Sequence, residues 1–164
     1  MKRCILTIFL SVAVLLLISA YERKPTETLF TVDNIAIGQG DSCMLEMSEM
    51  KGKNVLLTFW SSDDATSRLS NMYYSSLARK HDDMVHVGVN FDSSPQLFRE
   101  ILRRDNLDGD SLQFHVSGDD AAKMINRYGL QHGFHSYMLD SSGKVIARNP
   151  SIENVDRLLG KANS

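Results

Sequence analysis

Cysteine is scarce in this chain: of 164 residues only Cys4 and Cys43 carry a thiol. Cys4 precedes a long apolar run. If that run is removed on export, Cys43 is the one thiol left and no disulfide can close within the chain. An exported domain without a disulfide depends on its apolar core for stability. Charge of one sign is lacking as well, with 18 basic residues against 20 acidic. Without a Lys/Arg cluster, nothing marks a nucleic-acid surface. Internal repeats and low-complexity segments are also missing. What remains is 43% hydrophobic and 23% charged, the composition of a globular protein with room for one domain and a short extension.

The amino-terminal end reads differently from the rest. Lys2 and Arg3 precede the uncharged run Ile5–Ala20, the pattern of an export signal. Cleavage after Ala20 places Ile18 at the −3 position, a poor small-residue site, so a retained anchor competes with cleavage. Cys4 lies before the run and is not the lipid-bearing cysteine of a lipoprotein. The expected organisation is residues 1–20 as signal peptide or membrane anchor, 21–29 as a charged, Pro-containing linker, and 30–162 as the folded domain. Either way the domain faces an extracytoplasmic compartment, the periplasm or cell envelope, with a membrane tether through residues 5–20 if the signal is kept.

The stretch Asn54–Ser70 organises the domain. An apolar run, Val55–Trp60, breaks into Ser61-Ser62-Asp63-Asp64 before a helical pattern. This predicts a buried strand feeding a helix capped by Asp63 or Asp64, with Leu69, Met72, Tyr73 and Leu77 on its inner face. Free N–H groups and the helix dipole converge at such a junction. Met84–Asn90 is the next strand, its Val85, Val87 and Val89 at period two. Ser94-Pro95 starts a helix, Leu112–Val116 is a short strand, and Gly118–Tyr128 is a helix closed by Gly129. Ser136–Leu139 and Val145–Arg148 form a hairpin, and Ser151 caps a last helix. Phe30–Ile37 is a short apolar-alternating piece, Gly38–Asp41 is a turn signal, and Cys43–Met50 returns towards the core strand.

Gly52-Lys53, the strand ending Phe59-Trp60, Tyr128-Gly129-Leu130, Leu139-Asp140 and Gly143–Arg148 together resemble the envelope thiol–disulfide oxidoreductases of the TlpA/ResA type. The resemblance covers roughly Phe30 to Lys161. It implies an α/β thioredoxin-like fold, a central mixed sheet flanked by helices with an N-terminal hairpin and an inserted α-β element. It also places the family's two redox cysteines on Asp64 and Ser67, and its cis-proline on Phe134. Thiolate exchange needs sulfur at both positions, and a non-proline cis bond costs about 2.5–4 kcal/mol. The expectation is therefore a redox-inactive member with a trans Phe134, no catalytic residues and no cofactor.

Its expected role is a binding or adaptor module for an envelope protein, through a face made of Trp60, Asp63, Asp64, Ser67, Phe134 and His135. An aromatic pair, Trp60 and Phe134, rimmed by Ser and Asp is either a contact patch or filler for the missing disulfide and proline. Two alternatives stand beside it. Cys43 could exchange with a partner thiol, although nothing basic flanks it and a small packed side chain is the ordinary use. Asp63, Asp64, His132 and His135 have the donor types of a divalent-metal or small-molecule site, with no register to hold them; no metal is expected. A hydrolase built from Ser61, Ser62 or Ser67 with His135 lacks a nucleophile elbow. His81, His86 and His115 read as ordinary surface or strand residues.

Overall fold

The structure, a computed structural model, describes residues 35–36, 44–45, 47–109 and 112–162. The segments expected to be a signal or anchor and a linker, together with Cys43, lie outside the described residues. Among those described, no helix is long and apolar enough to cross a membrane.

Two short strands, β1 (Ile35–Ala36) and β2 (Met44–Leu45), pair antiparallel. A 3-10 turn, Met47–Met50, then leads into β3 (Asn54–Trp60). There follow α1 (Ala65–Ala78), β4 (Met84–Asn90), α2 (Pro95–Arg104), β5 (Leu112–His115), α3 (Gly118–Tyr128), β6 (Ser136–Leu139), β7 (Val145–Arg148) and α4 (Ile152–Ala162). The sheet order is β5-β4-β3-β6-β7. β3, β4 and β5 run parallel, and β6 and β7 antiparallel to their neighbours. The central strand β3 is buried along its whole length, as a continuous apolar run covered on both faces should be.

Alternation sends the two sets of β3 side chains to opposite layers. Val55, Leu57 and Phe59 join Val87, Val89, Tyr137 and Leu139 under Met124 and Tyr128 of α3. Leu56 lies with Tyr74, Leu77, Met138 and Val155, between α1 and α4. Trp60 packs with Phe98, Ile101 and Leu102 of α2. Arg68 of α1 forks onto Asp105, just past the end of α2, at 2.6 and 2.7 Å. That hydrogen bond raises the guanidinium pKa further.

The caps follow the sequence. Ser94 accepts from Leu97 N–H with Pro95 inside the first turn. Gly129 ends α3 at φ 65°, a left-handed conformation that glycine adopts without steric cost.

The inner face of α1 differs from the expected one. Leu69 is 64% exposed and Tyr73 47%, whereas Ser67, Asn71, Tyr74, Ser75 and Leu77 are buried. The reason lies beneath the helix. Strand residues Thr58, His86 and Gly88 present a polar, shallow surface there, and small or hydrogen-bonding side chains fit it better than leucine. A Cβ on Gly88 would stand 2.2 Å from Gln113 Oε1 and 2.5 Å from Asn71 Oδ1. These two amides bond each other at 3.2 and 3.3 Å, so the glycine makes room for them.

Candidate functional site at the start of α1

The chain leaves β3 at its carboxyl end and turns at once into α1. Asp64 is the N-cap: its carboxylate accepts from Ser67 N–H at 2.7 Å. Ser67 is buried, its hydroxyl donating to Asp64 O at 3.2 Å and accepting from Ser61 N–H at 3.3 Å. The two positions where the resemblance places cysteines are thus tied to each other through oxygen. A carboxylate at this end of a helix is favoured by the dipole and by the free N–H groups. It cannot attack a disulfide.

Beside this turn lies a residue that the sequence reading passed over. Asp92, 5% exposed, follows β4 at the carboxyl end of the strand parallel to β3. Its carboxylate accepts from Ser61 Oγ at 2.9 Å and from Ser62 N–H at 2.8 Å. Ser61 Oγ also contacts the Asp63 carboxylate. Asn90 Oδ1 fixes Asp92 by accepting its N–H at 3.0 Å, and His115 Nε2 stands 2.8 Å from its carbonyl oxygen. A signal was available: Asn90-Phe91-Asp92 ends a strand adjacent to β3, where parallel sheets place their functional loops.

Trp60 is not on this rim. It is fully buried, with Nε1 donating to Gln113 Oε1 at 3.2 Å and its ring 6.2 Å from that of Phe98. Phe134 lies in the opposite layer, half-buried, its ring 5.5 Å from Phe91. The expected Trp60–Phe134 contact patch is therefore corrected, because consecutive strand residues face opposite sides and Phe59 holds the side toward Phe134. No described peptide bond is cis, so Phe134 is trans, as expected. Gly133, at φ 130°, turns the loop so that His135 O can accept from Phe59 N–H at 3.1 Å. His135 Nδ1 lies 3.5 Å from Asn149 Nδ2. Burial, then the charge of Arg148, lowers the His135 pKa.

Asp63, Asp64, His132 and His135 are not brought together as metal ligands. Among the described residues no group of three or more His, Cys, Asp or Glu has that arrangement. The structure adds an apolar feature instead. Leu69 and Tyr73 overhang a groove of about 290 Å3 whose far wall is Pro150 and Ile152. Tyr74 ties the two walls by donating to Pro150 O at 2.7 Å. Pro150 is chain neighbour to Asn149, which contacts His135.

A mixed sheet with the strand–turn–helix of β3 and α1, an α-β insertion and a closing hairpin defines a thioredoxin-like domain. Solved structures agree. A thioredoxin-like protein from Parabacteroides distasonis matches with TM-score 0.61 at 29% identity, over 66% of this chain and 81% of that one. A thiol:disulfide interchange protein from Bacteroides sp. matches with TM-score 0.66 at 19% identity, over 84% and 91%. The thiol-disulfide oxidoreductase ResA of Bacillus thuringiensis and that of Bacillus anthracis are 24% identical over 127 residues, 77% of this chain and 72% of theirs. No family model matches the chain. The chain thus has the thioredoxin-like fold and is similar to thiol-disulfide oxidoreductases of the ResA type.

Proposed function

We propose that this chain is an extracytoplasmic thioredoxin-like binding module that carries out no dithiol exchange and engages an envelope protein through the surface around the start of α1. The observation that carries the reading is the Asp64–Ser67 pair: both positions of the family's redox turn hold oxygen, already joined by short hydrogen bonds. The contact surface is the groove under Leu69 and Tyr73 together with Phe134, His135 and Asp63. It takes an extended segment that offers an apolar side chain to the groove, since large exposed apolar side chains are the usual anchors of an interface. Trp60, buried against α2, takes no part in it.

The names of the relatives favour a second reading, thiol–disulfide interchange through Cys43. There the Cys43 thiolate attacks a partner disulfide, forms a mixed disulfide and releases one partner thiolate. A second thiol on the partner then resolves it.

Affinity co-purification of the full-length chain from its own envelope separates the two. The binding-module reading expects a stoichiometric partner that is lost in Leu69→Asp and in Phe134→Ala and retained in Cys43→Ser. It also expects no turnover of a protein disulfide by the wild type. A partner held through Cys43 alone, and released by reductant, establishes interchange instead.

A further inference from the structure

Under the carboxyl-terminal half of α1, about 17 Å along the helix from Asp64, two buried polar atoms have no hydrogen-bond partner: Ser75 Oγ and His86 Nδ1. Ser75 is 1% exposed and His86 3%. Both residues line one cavity of about 310 Å3, whose walls are the end of α1, the start of β4 and Leu112 at the first position of β5. His86 Nε2 is engaged with Thr58 Oγ1 at 3.2 Å, so Nδ1 is the ring's open valence. A buried polar atom left unpaired is destabilising. Both atoms are buried behind the wall of the cavity, so a molecule in it reaches them when the Ser75 and His86 side chains turn toward it.

We propose that this cavity binds a small uncharged molecule that carries an amide or hydroxyl group on a short aliphatic body, the polar group reaching Ser75 Oγ and His86 Nδ1. The ligand class follows from the walls. Ala78, Met84, Val85 and Leu112 give the aliphatic body an apolar surface. A ligand with a full charge does not suit the floor: burial, then the charge of Arg79, pushes the His86 pKa down to about 3, so the imidazole itself stays neutral there. At the mouth, Arg79 and Asp82 have opposite charges and give neither sign a net attraction. Ser75 can donate or accept, and Nδ1 does either according to tautomer, so a group with both functions, such as an amide, satisfies the pair. The volume is at the small end of ligand sites and roughly ten times that of a water molecule.

The test is a titration of the isotope-labelled full-length chain with propionamide, followed by NMR, with butyrate and butylammonium as charged counterparts. The expected result is saturable binding in the millimolar range, with shifts confined to Ser75, Ala78, Met84 and the His86 ring. Affinity should fall about tenfold in Ser75→Ala, the loss of one hydrogen bond. It should vanish in Ala78→Phe, which fills the cavity from the helix side. Leu112→Trp closes the cavity from the sheet edge, where Leu112 is 40% exposed, and serves if the helix variant fails to fold. Shifts that do not saturate or that spread over the surface overturn the proposal. So do an equal response to the charged probes, unchanged affinity in Ser75→Ala, and a long-lived water at His86 Nδ1 that propionamide does not displace.

Discussion

The two faces of the five-stranded sheet solve different problems. Toward α3, β3, β4 and β6 contribute Val55, Leu57, Phe59, Val87, Val89, Tyr137 and Leu139, all apolar and all in one cluster. Toward α1, α2 and α4, the same strands contribute Thr58, His86, Gly88, Asn90 and Ser136 between Leu56, Trp60 and Met138. The first face is a matter of filling volume: the Phe59 ring lies 4.7 Å from that of Tyr128 and 6.0 Å from that of Phe91. The second is a matter of finding partners. Ser136 Oγ lies 3.4 Å from Thr58 Oγ1 and His86 Nε2 3.2 Å from it, yet His86 Nδ1, Ser75 Oγ and Asn90 Nδ2 remain unpartnered. Cores built from apolar volume tolerate substitution by size, whereas a buried polar layer depends on each member.

The largest expected difference between the faces is in acid. Burial, then the charge of Arg79, pushes the His86 pKa of the folded chain from 6.5 down to about 3. Above pH 6.5 both the folded and the unfolded chain hold the ring neutral, and stability is at its full value. Below that the unfolded chain takes up a proton that the folded chain refuses. Stability therefore falls by about 1.4 kcal/mol per pH unit until the folded ring titrates near pH 3. His86→Leu should remove this slope. Urea unfolding of wild type and variant at about pH 6 and about pH 4 isolates it from the shared carboxylate titration. Parallel losses in the two proteins would show that the polar face does not hold His86 neutral.

On the apolar face the corresponding change is Phe59→Ala, expected to cost about 3–5 kcal/mol with little dependence on pH. Gly88→Ala comes next. The added methyl must displace the Asn71–Gln113 amides, and with them the hydrogen bond from Trp60. A loss of about 1–3 kcal/mol is expected, recovered in part when Gln113→Ala is added to make room. Denaturation of the single and double variants measures the coupling. A simple sum of the two losses would mean that the amide pair is not what requires the glycine.

The fold could be read from the sequence where one periodic signal had one cause. β3, β4, β6 and β7 fall where their apolar runs lie, and Asp64, Ser94 and Gly129 cap where their chemistry says they should. The polar face was hard to read for the same reason that it is distinctive. Leu69 and Tyr73 look like the inner stripe of α1 by hydrophobicity, but Asn71, Ser75 and Gly88 interlock only once β4, β5 and α1 are brought together. Trp60 was assigned to the rim on the strength of the resemblance, although period two already set it opposite Phe59. Asp92 has no motif of its own; it joins the site because β3 and β4 end side by side.

The smallest effect bears on the rim itself. Asp64→Ala removes the carboxylate that accepts from Ser67 N–H and should cost about 1 kcal/mol. Ser67→Ala should cost a similar amount by leaving Ser61 N–H without its acceptor. Asp63→Ala, at an exposed position outside the capping turn, should lie within about 0.5 kcal/mol of wild type. Thermal unfolding ranks the three. A turn kept for redox chemistry tolerates strain for the sake of a thiolate, whereas one kept for shape should lose stability when either member of its oxygen pair is cut. If Asp64→Ala and Ser67→Ala melt with the wild type while Asp63→Ala falls, the anchoring of this face lies in the Ser61–Asp63 contact and not in the Asp64–Ser67 pair. The partner surface would then have to be redrawn around Asp63 and Asp92.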